Sequence, residues 1–141
     1  MDYPSKIILL TVFVQVFFTL WTIIAMGKGR VKAVQTSSLT MKDIALDSSR
    51  YPDDVLKLGN NMRNQFETPV LLYTGVAMAL TLGAVNWIMA GAAVAYIVTR
   101  FRHRWIHVGH NNIRKRFMAY VYGLAALAIF WVALGVQVFV L

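Results

Sequence analysis

Apolar positions in this chain fall into three long uncharged runs, with polar, basic segments between them. The first run, Ile7 to Met26, is 20 residues without a charge. That is the length of a helix crossing a bilayer core. The segment before it carries only Asp2 and Lys6, whereas Lys28, Arg30 and Lys32 follow it. A cleavable signal peptide has the reverse flanks, so Ala25-Met26-Gly27 is read as the end of an uncleaved span. The second run, Val70 to Thr99, has 30 uncharged residues, too many for one crossing helix. Its middle, Gly83-Ala84-Val85-Asn86-Trp87, carries turn-prone residues and an interfacial Trp. It reads as a tight hairpin between two spans. The third run closes the chain from Phe117 to Leu141.

The pattern predicts an all-α integral membrane protein, a single four-transmembrane-helix bundle over residues 1–141. Its spans are about 7–26, 65–83, 86–106 and 117–141. The connecting loops are 27–64 and 107–116. A helix starting near Asp53, where the dipole favours an acid, is expected to run unbroken through Arg63 and Glu67 into the membrane. The apolar share of 58% against a charged share of 14% supports the membrane reading. Lys and Arg number seven in 27–65, six in 100–116 and none in the hairpin. Both basic loops therefore face the cytoplasm and both termini face outward, a bacterial inner membrane being the expected location.

The net charge of +8 raises nucleic acid as a partner. The cations gather where apolar runs end, as topogenic charge does, so no nucleic acid is expected. The absence of cysteine removes disulfides, thiolate metal sites and a Cys nucleophile.

Three polar groups carry the candidate chemistry. Asn60, Arg63, Asn64 and Glu67 recur at i, i+3, i+4 and i+7, one face of a helix. Glu67 is the only acid joined to an apolar run. An internal pair with Arg63, four residues earlier, is one account of it. Arg100, His103, His107, His110 and Arg114 trace a second helical face. Two histidine pairs at chelating spacing raise a metal site, but a third ligand and a second shell are missing, so none is expected. Arg114-Lys115-Arg116 precedes Tyr120 at a helix start, where cations oppose the dipole unless an anion binds nearby. Several cations, amide donors and one acid suit a zwitterionic, net-anionic ligand. Its carboxylates would go to Arg and its ammonium to Glu67.

With Gly27-x-x-Arg30, Arg63-Asn64-x-x-Glu67-Thr68, Arg100-x-x-His103 and Arg116-x-x-x-Tyr120 in this order, the chain resembles the MAPEG family. These are membrane-associated proteins in eicosanoid and glutathione metabolism. The pattern is similar to that of the family's bacterial members, its microsomal glutathione transferases and its prostaglandin E synthases. The resemblance implies a homotrimer among membrane lipids, with glutathione bound between subunits and a lipophilic small-molecule substrate. It implies that Arg63, Asn64, Glu67, His103, His107, Arg116 and Tyr120 bind glutathione, with Arg30 coming from the adjacent subunit. A cation beside the thiol stabilises the thiolate, so Arg116 is the expected catalytic residue, with Tyr120 one turn on placed to hydrogen-bond the sulfur. His107 stands where the prostaglandin synthase pattern has tyrosine, Phe117 where it has serine and Asn60 where it has arginine. These departures count against prostaglandin isomerisation. The leading expectation is a glutathione-dependent transferase or peroxidase for lipophilic electrophiles. The alternatives are a non-catalytic lipid- or glutathione-binding relative and an unrelated small membrane protein such as a transport subunit.

Overall fold

A computed structural model describes residues 1–37, 39–45 and 47–140. Six helices run in the order α1 (Tyr3–Thr36), α2 (Met41–Ile44), α3 (Asp53–Arg63), α4 (Pro69–Thr81), α5 (Trp87–Val108) and α6 (Ile113–Phe139), with one 3-10 turn at Ser48–Arg50. No strand occurs among the described residues.

Each apolar run is helical, and local chemistry fixes the ends. Asp2 caps α1 by accepting from the Ser5 backbone N–H at 3.1 Å. Asn86 caps α5 through Met89 at 3.0 Å, and Asn112 caps α6 through Lys115 at 2.9 Å. The chain reverses between α4 and α5 at Gly83, whose φ of 63° is left-handed and suits a residue without Cβ.

Two features depart from the sequence expectation. First, α1 has 34 residues and runs ten beyond Met26 to Thr36. The extension survives because α3 packs on it. A Cβ at Gly29 would meet Leu58 Cδ1 at 2.8 Å, so glycine lets the two helices touch. Ala33, Tyr51 and Val55 then form a small second core. Second, the helix from Asp53 does not continue through Glu67. It stops at Arg63 and restarts at Pro69. Proline has no N–H to give the Gln65 carbonyl and its ring crowds that position, so it serves as the first residue of α4.

The main core lies between α1, α4, α5 and α6, around Ile8, Leu72, Val76, Met89, Tyr96 and Phe130. Outside it the surface is inverted relative to a water-soluble bundle. Phe17 is 66% exposed, while Gln15 on the same helix is 0% exposed. Large apolar side chains face outward and polar ones are hidden, as lipid surroundings require. Helices α1 and α6 are long and apolar enough to cross a membrane, and α4 is a shorter apolar helix.

Candidate functional site

The break between α3 and α4 is pinned from behind by buried polar groups. Gln65 is 1% and Asn61 0% exposed. The Gln15 side-chain amide donates to Gln65 Oε1 at 3.0 Å, and Gln65 Nε2 donates to the Asn61 carbonyl at 3.2 Å. Arg100 donates to the Asn64 carbonyl, and Arg104 donates to Asn61 Oδ1. The hydroxyls of Thr68 and Tyr96 share a hydrogen bond of 2.9 Å. The carbonyl that leaves the helical ladder at Asn64 thus finds a charged donor, so the interruption is a fixed shape.

That shape turns Asn64 and Glu67 toward a cleft of about 470 Å³. Helix α3 adds Asn60 and Arg63, α5 adds His103 and His107, and α6 adds Ile113, Arg116, Phe117 and Tyr120. The four residues predicted to share a helical stripe still share a wall, although no continuous helix joins them. The internal pair between Arg63 and Glu67 does not form. Ion pairs among the described residues are made by Arg50 alone, with Asp43 at 2.7 Å and Asp47 at 4.0 Å. Glu67 is the one acid in the cleft and is exposed to it.

The second predicted stripe divides. Helix α5 ends at Val108, with Gly109 as its cap, so His110 and Arg114 leave the face that His103 and His107 occupy. Arg100 is 2% exposed and supports Asn64 from within. His103 and His107 are each 4% exposed and meet edge to face at 5.5 Å between centroids. The His103 ring lies 6.2 Å from that of Tyr120. The Nδ1 atoms of both histidines are buried without a hydrogen-bond partner. Leaving such an atom unpaired costs about 1–3 kcal/mol. Metal is a poor fit, since only two histidines converge. No group of three or more ligating His, Cys, Asp or Glu side chains occurs among the described residues.

Arg116 is oriented by a residue that sequence reasoning missed. Its Nη1 donates to Asn111 Oδ1 at 2.7 Å. Asn111 has a φ of 48°, a left-handed conformation that asparagine tolerates better than most residues. Its N–H donates to the Ile106 carbonyl at 2.8 Å, tying the turn to α5. The Asn111-Asn112 doublet between two helices was the available signal, one residue for the turn and one for the cap. Arg30 lies outside the cleft. Its guanidinium sits 5.4 Å from the Tyr51 ring centroid, in a small crevice of about 40 Å³ that shares Asn60 and Arg63 with the cleft.

Comparison with protein families gives one finding, a match of residues 8–136 to the MAPEG family. No curated protein and no solved structure matches the chain. The match runs nearly end to end and takes in every residue of the cleft, so the chain belongs to the MAPEG family, integral membrane proteins associated with glutathione and eicosanoid metabolism.

Proposed function

We propose that this protein is a glutathione-dependent transferase or peroxidase acting on lipophilic electrophiles from the membrane. It works as a homotrimer of four-span subunits, with spans about 7–26, 65–83, 86–106 and 117–141. The polar end carrying the cleft faces the cytoplasm of a bacterial inner membrane, and both termini lie outside. The observation that carries the reading is Glu67, an unpaired acid in a cleft otherwise furnished with Arg63, Arg116, His103, His107 and Asn64. Glutathione has two carboxylates, one ammonium and a thiol. That charge set matches the lining, in which His103 and His107 share a wall with Arg116 and Tyr120. The family resemblance assigns Arg30 to the cleft of the neighbouring subunit.

Arg116 carries the chemistry. A guanidinium beside the thiol favours the thiolate and raises the nucleophile concentration. Each pKa unit so gained is about 1.4 kcal/mol. Asn111 holds that guanidinium in place. Tyr120, one turn further along α6 in the same cleft, would donate a hydrogen bond to the sulfur of bound glutathione. Phe117 and Ile113, 61% and 71% exposed, form an apolar edge to the cleft where a lipophilic electrophile rests. In conjugation the bound thiol would form a carbon–sulfur bond as the leaving group departs; in peroxide reduction it would take one oxygen and release the alcohol, and a second glutathione would then release water and the disulfide.

Arg116→Ala tests the assignment in purified protein given glutathione and an aryl halide. Loss of one positioned charge should lower kcat/KM by about a hundredfold or more. Full conjugation by the variant would contradict it. A non-catalytic glutathione or lipid binder is the second reading, favoured by Phe117 in the cleft wall. It predicts bound glutathione without the ultraviolet absorbance of a thiolate.

A further inference from the structure

A second cleft, of about 500 Å³, opens on another face of α5. Its walls include Trp21, Phe101, Arg104, Trp105 and His110. Arg104 is only 7% exposed, yet no carboxylate pairs with it, because the ion pairs among the described residues all belong to Arg50. One nitrogen donates to Asn61 Oδ1. The guanidinium carbon lies 4.1 Å from the Trp21 ring centroid. A hydrogen bond and a cation–π contact offset part of the desolvation of this charge, but neither neutralises it. Guanidinium has five N–H donors in a fork that suits phosphate oxygens.

The surface leading to Arg104 is as informative as the charge. Phe13, Phe17, Leu20, Trp21 and Ile24 are 36% or more exposed and recur on one face of α1. Val94, Val98, Phe101 and Trp105 do the same on α5. The two helices pack together, and both stripes arrive at the Arg104 cleft. Trp21 is 54% and Trp105 81% exposed, as aromatic residues at headgroup depth commonly are. A cation at headgroup depth above two apolar stripes is complementary to one amphipathic anion.

We propose that the Arg104 cleft and the stripes below it bind a single anionic phospholipid. Its phosphate sits on Arg104 and His110, and an acyl chain lies along α1 and α5. The full-length protein, purified in detergent, is titrated with phosphatidylglycerol and bound lipid is read by native mass spectrometry. Phosphatidylcholine, oleate and inorganic phosphate are run in parallel. Phosphatidylglycerol should remain bound on each subunit where phosphatidylcholine does not. Arg104→Gln should weaken it about tenfold or more, while Arg102→Gln, an exposed cation outside the cleft, leaves it unchanged. Trp105→Ala removes a largely exposed side chain and should weaken the lipid without lowering Tm. It carries the test if Arg104→Gln does not fold. Equal retention of phosphatidylglycerol by wild type and both variants overturns the proposal. So does equal binding of phosphatidylcholine, or binding of oleate or phosphate as strong as that of the lipid. Loss of oligomer mass in Trp105→Ala with no lipid bound to wild type would assign the groove to a second copy of the chain.

Discussion

The segment 40–50 and the cleft around Glu67 both hold acids beside cations, and they treat them in opposite ways. In 40–50 both acids find their partners within the segment. Asp43 accepts from the Thr40 N–H at 2.9 Å and hydroxyl at 2.6 Å, and pairs with Arg50 at 2.7 Å. Asp47 accepts from the Ser49 N–H at 2.9 Å and hydroxyl at 2.6 Å. Hydrogen bonds from Thr40 hold the Asp43 carboxyl below its ordinary value, and those from Ser49 do the same for Asp47. In the cleft nothing comparable happens. Glu67 has no ion pair, and two buried histidine nitrogens lack partners. Self-satisfied charge shapes a loop, whereas unsatisfied charge on a rigid frame is suited to a ligand.

Changes to the frame of the cleft should therefore be felt most strongly. Gln65→Leu takes from the buried Gln15 amide its 3.0 Å acceptor, leaving only the longer 3.4 Å bond to Thr19, and frees the α3–α4 break. It should destabilise the fold by about 1–3 kcal/mol and weaken glutathione as well. Denaturant melts alongside a binding titration would check both, and unchanged affinity would separate the break from the site. Asn111→Ala acts one step from the chemistry. It should lower kcat several-fold while glutathione affinity stays near wild type, because the Arg116 charge remains but is no longer aimed. An equal loss in kcat and affinity would make Asn111 a structural residue only.

The smallest effect belongs to 40–50. The folded pKa of Asp43 is depressed, so its contribution is fully present above the ordinary value of 3.8. It is lost as pH falls through the lower, folded value. Protection of the Thr40 amide, which donates to the Asp43 carboxylate, should therefore be lost only in strong acid, with glutathione binding unaffected by Arg50→Ala. A clear loss of binding in that variant would erase the contrast between the two regions.

The sequence revealed different parts of the molecule to different degrees. Uncharged run length exposes the helices, because a helix in lipid must be apolar along its whole length. The reversal at Gly83 was legible from its turn residues. The interruption after Arg63 was not read, although Pro69 announced it. The i, i+3, i+4, i+7 spacing places four residues on one wall equally well with the helix broken between Arg63 and Pro69. The residues behind the cleft were out of reach. Gln15 meets Gln65 across 50 positions, and Arg104 meets Asn61 across 43. No local spacing encodes such pairs. Asn111 was hidden for another reason, since its left-handed φ is set by the turn that α5 and α6 demand.

The most direct test of the central claim is calorimetric titration of glutathione into wild type and Glu67→Gln side by side. Wild type should bind glutathione, and the variant should bind it roughly tenfold or more weakly, as expected for a lost charge-assisted bond to an ammonium. The ligand-free Tm of the two should be the same. No heat at millimolar glutathione, or an equal fall in Tm and affinity, would contradict that claim and return Glu67 to a structural role.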